Sequence, residues 1–361
     1  MINVSEIKSK DIVRRTIDFK RPPRLAYDYY AYGRRYTDIV TAYLDWDYEY
    51  ERKSWIEGNK VFSLDPFGNI WVRTTTDKVT KGILHCGVLE DSWEKLDSFT
   101  MPKLSQAAYG GSVQRFFASY SNMFKVGCIY EASFSILCKL RGFSNLMVDL
   151  ILESGRVKQA CEIIETELLE AVRGYALYGA DGIHIMEDWG TQTSLLISRA
   201  MWDQFFAPGY LKICETAHSY NMKVILHSCG MIGDLIEGLI ECGIDVLQFD
   251  QTTNYSSGDK NDGIERLAAA YGGRVTFFSP VDIQHTLIKG DFQKIDDECR
   301  RLVQKLGSLK GGFIAKSYGR GTKMYLDAIG CDSVWNDFAF ECFKKYGKEL
   351  YGLDFDIPEL I

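Results

Sequence analysis

The sequence predicts an α/β fold in one domain, built as a single (β/α)8 barrel, and three observations carry that expectation. From about residue 150 onward, short apolar runs alternate with amphipathic helical segments, the pattern of parallel strands joined by crossover helices. Three apolar runs farther upstream bring the candidate strands to eight, the number that closes such a barrel. No low-complexity linker or charge block divides the 361 residues and proline is sparse at seven, so residues 1–361 read as one domain, with 46% hydrophobic residues to fill its core.

The first two strands are expected in "RLAYDYY" and "TDIVTAYLD", and the third in "FKVGCIYEA". Between the second and third lies "DPFGNIWVRTTTDKVTKGILHCGVLED", a turn-separated, β-branched stretch that reads as an inserted hairpin or loop region over part of the barrel. A helix over about Gly155 to Tyr178 has apolar residues three and four apart and leads into the strand "GIHIMEDWG". A second helix, roughly Ser198 to Tyr220, feeds "KVILHSCG". "MIGDLIEGLIECG" feeds "IDVLQFDQ", "GIERLAAAYGG" feeds "RVTFFSP", and "FQKIDDECRRLVQKLGSLK" feeds "GGFIAKSYG".

Composition narrows the function. A formal charge of -7 without clustered Lys and Arg argues against a nucleic-acid surface. No apolar run reaches the roughly 18 residues of a membrane span, and the charged N-terminal stretch lacks a signal-peptide core. Ten cysteines scattered through a long chain do not form a secreted disulfide framework. These features predict a cytoplasmic protein whose partners are small molecules or other proteins.

Chemistry-bearing residues gather at the predicted strand ends, where a barrel of this kind holds its site. His227 and Cys229 flank one serine where "KVIL" gives way to a loop, either as the end of a buried strand or as two ligands of a metal. Glu187 and Asp188 follow the fourth strand, as acid–base or ligand groups or as a helix cap and an ion pair. Asp250 and Gln251 end the sixth. "YDYYAYGRRY" concentrates five tyrosines after the first strand, as one wall of a site for a planar substrate or as packing beneath a loop.

The stretch from "GADGIHIMEDWG" to "KVILHSCG", with "IDVLQFDQ" and the early "DIVRRTIDFKRPPRL", resembles the uroporphyrinogen decarboxylase superfamily over nearly the whole chain. That superfamily includes corrinoid-dependent methyltransferases. The resemblance implies a (β/α)8 barrel and, in the methyltransferase branch, zinc held by the H-x-C pair and by a cysteine after the eighth strand. Here Ser317, Tyr318 and Gly319 occupy that last position, while Cys331 lies farther along; Glu187, Asp188 and Asp250 are alternative oxygen ligands. The decarboxylase branch is matched less well. Arg34 and Arg35 survive from its arginine-rich motif, Asp45 stands for its aspartate, and Tyr318 stands where it carries a histidine.

The expected activity is therefore zinc-dependent methyl transfer to or from a corrinoid. His227 and Cys229 would hold the metal, Asp45, Glu187, Asp188 and Asp250 would be the catalytic carboxylates, and Arg34, Gln251 and Tyr318 would contact a small methyl donor or acceptor. With no D-x-H-x-x-G motif in the chain, the corrinoid would arrive on a separate protein. Uroporphyrinogen decarboxylation in tetrapyrrole biosynthesis, and non-catalytic corrinoid or tetrapyrrole binding, are the alternatives.

Overall fold

The computed structural model describes residues 7–44, 53–77, 82–103, 106–318, 323–352 and 356–360. Asp45 lies outside the described residues. The fold is α/β, organised on a large curled sheet. After α1 (Ser9–Ile17) come β1 (Ala26–Ala31), β2 (Arg34–Thr37) and β3 (Ile39–Tyr43). A second sheet follows, with β4 (Ser54–Glu57), β5 (Lys60–Leu64), β6 (Ile70–Thr74) and β7 (Ile83–Cys86) paired antiparallel in chain order. The inserted segment is thus a four-stranded meander where the sequence suggested a hairpin or loop. It begins upstream of the predicted stretch, because β4 is exposed on every residue and carries no core signal.

The chain returns to the large sheet through α2 (Gln106–Ser119) and β8 (Phe124–Ile129), then α3 (Ser133–Arg141), α4 (Phe143–Leu152), α5 (Ser154–Leu177) and β9 (Gly182–Met186). Next come α6 (Arg199–Phe205), α7 (Ala207–Ser219), β10 (Lys223–His227), α8 (Gly233–Cys242), β11 (Val246–Gln248), α9 (Gly263–Tyr271) and β12 (Thr276–Ser279). The chain closes with α10 (Phe292–Arg301), β13 (Phe313–Lys316), α11 (Lys323–Ala328), α12 (Ser333–Tyr351) and β14 (Glu359–Leu360). The single helix expected over 198–220 is two helices, divided at Phe206. Pro208, in the first turn of α7, lacks the N–H that a continuous helix would need there.

The sheet order is β14-β2-β1-β13-β12-β11-β10-β9-β8-β3. From β1 round to β3 every neighbouring pair is parallel, whereas β2 runs antiparallel to β1 and β14 antiparallel to β2. Alternation along each strand separates two environments. On β1, Tyr27 and Tyr29 point outward against Phe340 and Phe343 of α12, while Ala26 points to the concave face.

At the N-terminal end of the strands the concave side is filled. Ile12, Val13 and Ile17 of α1 pack against Ala26, Ile39, Phe124, Val126, Ile225, Val246, Phe278 and Ile314, one or two residues from each parallel strand except β9. A buried ion pair fastens this plug: Arg24 donates to both oxygens of the fully buried Asp38 at 2.7 and 2.6 Å, and Asp38 also accepts from Ser9 Oγ and from Tyr27 N. With that end filled, a cavity remains at the strands' C-terminal ends.

Candidate active site

The cavity at the C-terminal strand ends has a volume of about 530 Å³. Every parallel strand lines it: Asp28 and Tyr30 from β1, Thr41 and Tyr43 from β3, Val126 from β8, His184 and Met186 from β9. Ile225 and His227 from β10, Gln248 from β11, Phe278 from β12 and Lys316 from β13 complete the ring, with Cys229, Asp250, Gln251, Ser317 and Tyr318 just beyond the strand ends.

The H-x-C pair sits on one wall. His227 is the last residue of β10, and its Nε2 lies 3.3 Å from Cys229 Sγ and 3.8 Å from Asp188 Oδ1. Asp188 Oδ1 also accepts from Cys229 N at 2.8 Å. One donor atom from each of the three falls within 4.8 Å of the others, the group among the described residues suited to a metal ion. Two ligands on a tetrahedral zinc with bonds of about 2.0–2.3 Å stand ~3.5 Å apart, so the measured separations fit. Burial drives His227 below the ordinary histidine value, leaving the neutral ring that metal binding requires. Burial, then the neighbouring Asp188 and Asp250 carboxylates, push the Cys229 thiol up to about 12.

The loop after Cys229 explains how Asp188 comes to meet it. Ser228 turns to the opposite side, accepting from Trp189 N at 3.0 Å, and Met231 N donates to Thr191 O at 2.7 Å. Gly230 has φ of 80°, and a Cβ there would sit 2.4 Å from the carbonyl oxygens of Gly190 and Thr191. Only glycine permits this close crossing of two loops.

Deeper in the cavity, Lys316 Nζ lies 2.6 Å from Asp250 Oδ1, both residues being buried. Burial alone would raise the Asp250 carboxyl, but the Lys316 ammonium and the nearby His227 outweigh it and hold Asp250 below the usual carboxylate range. His184, two strand positions before Met186, is driven down to about 3 by burial and then by His227 and Lys316, so its ring is neutral. At the opposite wall Arg35 donates twice to Asp28 Oδ1, at 3.0 and 2.9 Å.

The predicted residues are thus partly assembled. His227, Cys229 and Asp188 form one group, and Asp250, Gln251 and Tyr318 line the same cavity. Glu187 does not line it. Its carboxylate accepts from Tyr210 Oη at 2.7 Å and Ser135 N at 2.8 Å in the helix layer, because adjacent residues leaving a strand face opposite ways. Burial raises Glu187 to about 7, opposed by those hydrogen bonds. Arg34 is exposed and pairs with Glu359, its place toward the cavity being taken by Arg35. Cys331 is buried elsewhere, its thiol donating to Asp332 O, so it supplies no third sulfur.

Of the five clustered tyrosines, Tyr30 alone lines the cavity. Tyr27 and Tyr29 pack outward, and Tyr32 and Tyr36 lie against Phe340. The sequence reading missed His184, Lys316 and the Asp28–Arg35 pair. The signal was a polar residue inside an apolar strand, as in "GIHIM" and "FIAK", which the cavity-lined concave face of the sheet tolerates.

Comparison with known proteins places this geometry. The profile of the uroporphyrinogen decarboxylase (URO-D) family matches residues 91–323, more than half of the chain. No curated protein sequence matches. Among solved structures, a methyltransferase from Methanosarcina mazei superposes with a TM-score of 0.55 at 16% identity, over 73% of this chain and 72% of that one, and the shared feature is the fold. An L-ribulose 3-epimerase superposes with a TM-score of 0.41 at 12% identity, over 70% of this chain and 84% of that one.

Proposed function

Because the chain belongs to the uroporphyrinogen decarboxylase family, we propose that it is an enzyme that moves a methyl group to or from a corrinoid carried on a separate protein, with zinc held by Asp188, His227 and Cys229. The observation that carries this reading is the approach of one imidazole nitrogen, one thiol and one carboxylate at the mouth of the cavity. A zinc ion there would keep an incoming thiol as the thiolate nucleophile at neutral pH. The fold shared with a protein described as a methyltransferase supports the same branch. Asp188 replaces the cysteine that the methyltransferase pattern carries after its eighth strand, giving a site with one sulfur in place of two.

The chain's own residues divide the remaining work. Cys229 and His227 are fixed by the strand end and the crossing loop at Gly230, so the donor atoms are preorganised. Gln251 and Tyr318 border the space in front of them and are placed to orient a substrate. We read the parallel strands as a closed (β/α)8 barrel whose seam between β1 and β3 is bridged by Asp38 N donating to Tyr27 O at 2.8 Å, with the meander as its insertion. Among the described residues no helix is long and apolar enough to cross a membrane. All ten cysteines are free thiols, in keeping with a cytoplasmic location.

Uroporphyrinogen is a poor fit. Among the described residues the cationic side chains lining the cavity are Arg35, committed to Asp28, and Lys316, whose ammonium is shared with Asp250, whereas a substrate with many carboxylates needs several Arg or Lys partners.

Elemental analysis after dialysis against zinc tests the proposal. We expect about one zinc per chain in the wild type and background levels in His227→Ala and Cys229→Ser. A wild-type protein that stays metal-free after zinc is supplied sinks the reading, and so does coproporphyrinogen formed from uroporphyrinogen at an enzymatic rate.

A further inference from the structure

The deep end of the cavity holds more hydrogen-bonding capacity than the protein uses. Lys316 is 6% exposed and ends β13. An ammonium carries three N–H donors, and among the described residues the one acceptor bonded to it is Asp250 Oδ1. His184 Nε2 and His227 Nδ1 are buried without a well-formed hydrogen bond among the described residues, although the Gln248 side chain lies beside both rings, and both rings border the same cavity. Buried polar groups normally find partners, so three neighbouring groups with unused capacity point to something the cavity is built to receive.

The surroundings say what that is. Arg35 has two bonds to Asp28 and a third to Ile39 O, whereas Lys316 keeps donors to spare. The cavity's apolar lining includes Val126, Ile225, Phe278 and Ile283, and Lys316 Nζ stands 6.0 Å from the Phe278 ring centroid. Farther out, Tyr30 and Tyr318 offer aromatic faces. An acceptor oxygen deep in the cavity and an apolar, ring-sized body above it would satisfy both features.

We propose that Lys316, held in place by Asp250, is the binding residue for a carboxylate on a small substrate with an apolar, aromatic body. Lys316 donates to the carboxylate while Asp250 keeps the ammonium oriented. His184, as the tautomer bearing its proton on Nε2, supplies a second donor. This rests on reading the cavity as the substrate site and does not require the metal.

Benzoate is the probe, with benzamide as its uncharged counterpart, and binding is measured by calorimetry and by broadening of the ligand's proton resonances. We expect benzoate to bind at least tenfold more tightly than benzamide. Lys316→Met alone strands a buried carboxylate and risks unfolding. The paired variant, Lys316→Met with Asp250→Leu, removes both charges together and should keep its fold by circular dichroism while losing at least tenfold in benzoate affinity. His184→Phe should lose a smaller factor.

Benzamide binding as tightly as benzoate, no benzoate binding, or full benzoate affinity in the folded paired variant overturns the proposal. Zinc content measured on the same preparations separates the two readings. Zinc without benzoate binding leaves the metal reading standing, and benzoate binding without zinc leaves this one.

Discussion

Glu298 gives the sharpest test of the electrostatics around the cavity. This residue of α10 is 3% exposed, and one of its oxygens accepts from Asp282 N at 2.6 Å. Asp282 in turn binds Thr253 N, Gln284 N and His285 N, tying the loops after β11 and β12 that deliver Gln251 and Ile283 to the cavity. Burial, followed by the Asp282 charge, raises the Glu298 carboxyl from 4.5 to about 7.

The sign follows from proton counting. Between those two values the folded protein keeps a proton that the unfolded chain has released, so the contribution of Glu298 to stability is fully present below pH 4.5 and is lost as pH rises toward 7. The displacement corresponds to ~3 kcal/mol. Glu298→Gln keeps a carbonyl oxygen for Asp282 N and cannot ionise. Urea unfolding of both proteins from pH 4.5 to 8 should therefore show the variant gaining on the wild type by about 3 kcal/mol across the range. Glu187 titrates in both proteins and cancels from the difference. A difference that stays constant with pH would refute the argument, because it would mean that Glu298 is charged in the folded protein throughout.

Three other changes probe separate parts of the structure. Arg24→Met leaves Asp38 buried beneath the α1 plug without its cation, and should cost about 3–5 kcal/mol in chemical denaturation. Gly230→Ala forces a Cβ against two backbone carbonyls at a positive φ, so zinc retention in dialysis should fall together with a stability loss of roughly 1–3 kcal/mol. Tyr318→Phe keeps the ring and removes the hydroxyl; a loss of about 1 kcal/mol in ligand binding by calorimetry marks a hydrogen bond to the ligand, whereas unchanged binding assigns the ring to packing.

The sequence by itself determined the α/β class, the succession of parallel strands from β8 onward, and the pairing of His227 with Cys229 at a strand end. These are local properties: apolar runs of strand length, helical spacing between them, and a histidine and a cysteine separated by one residue at one strand end. The meander was legible only as turn-rich sequence, because β4 and β6 show no alternation of burial and β7 is no more than half-buried.

Tertiary structure decided which carboxylate joins His227 and Cys229 in the candidate metal-binding group. Glu187 and Asp188 are equivalent in sequence, but consecutive residues diverge at the end of β9, sending one into the helix layer with Tyr210 and the other across to Cys229. It also chose Arg35 over Arg34 for the cavity, since the antiparallel β2 turns alternate residues to opposite sides. Lys316 and Asp250 are 66 positions apart, and His184 lies as far again before Asp250. Curling of the parallel sheet brings them to one cavity, and no local pattern encodes that contact.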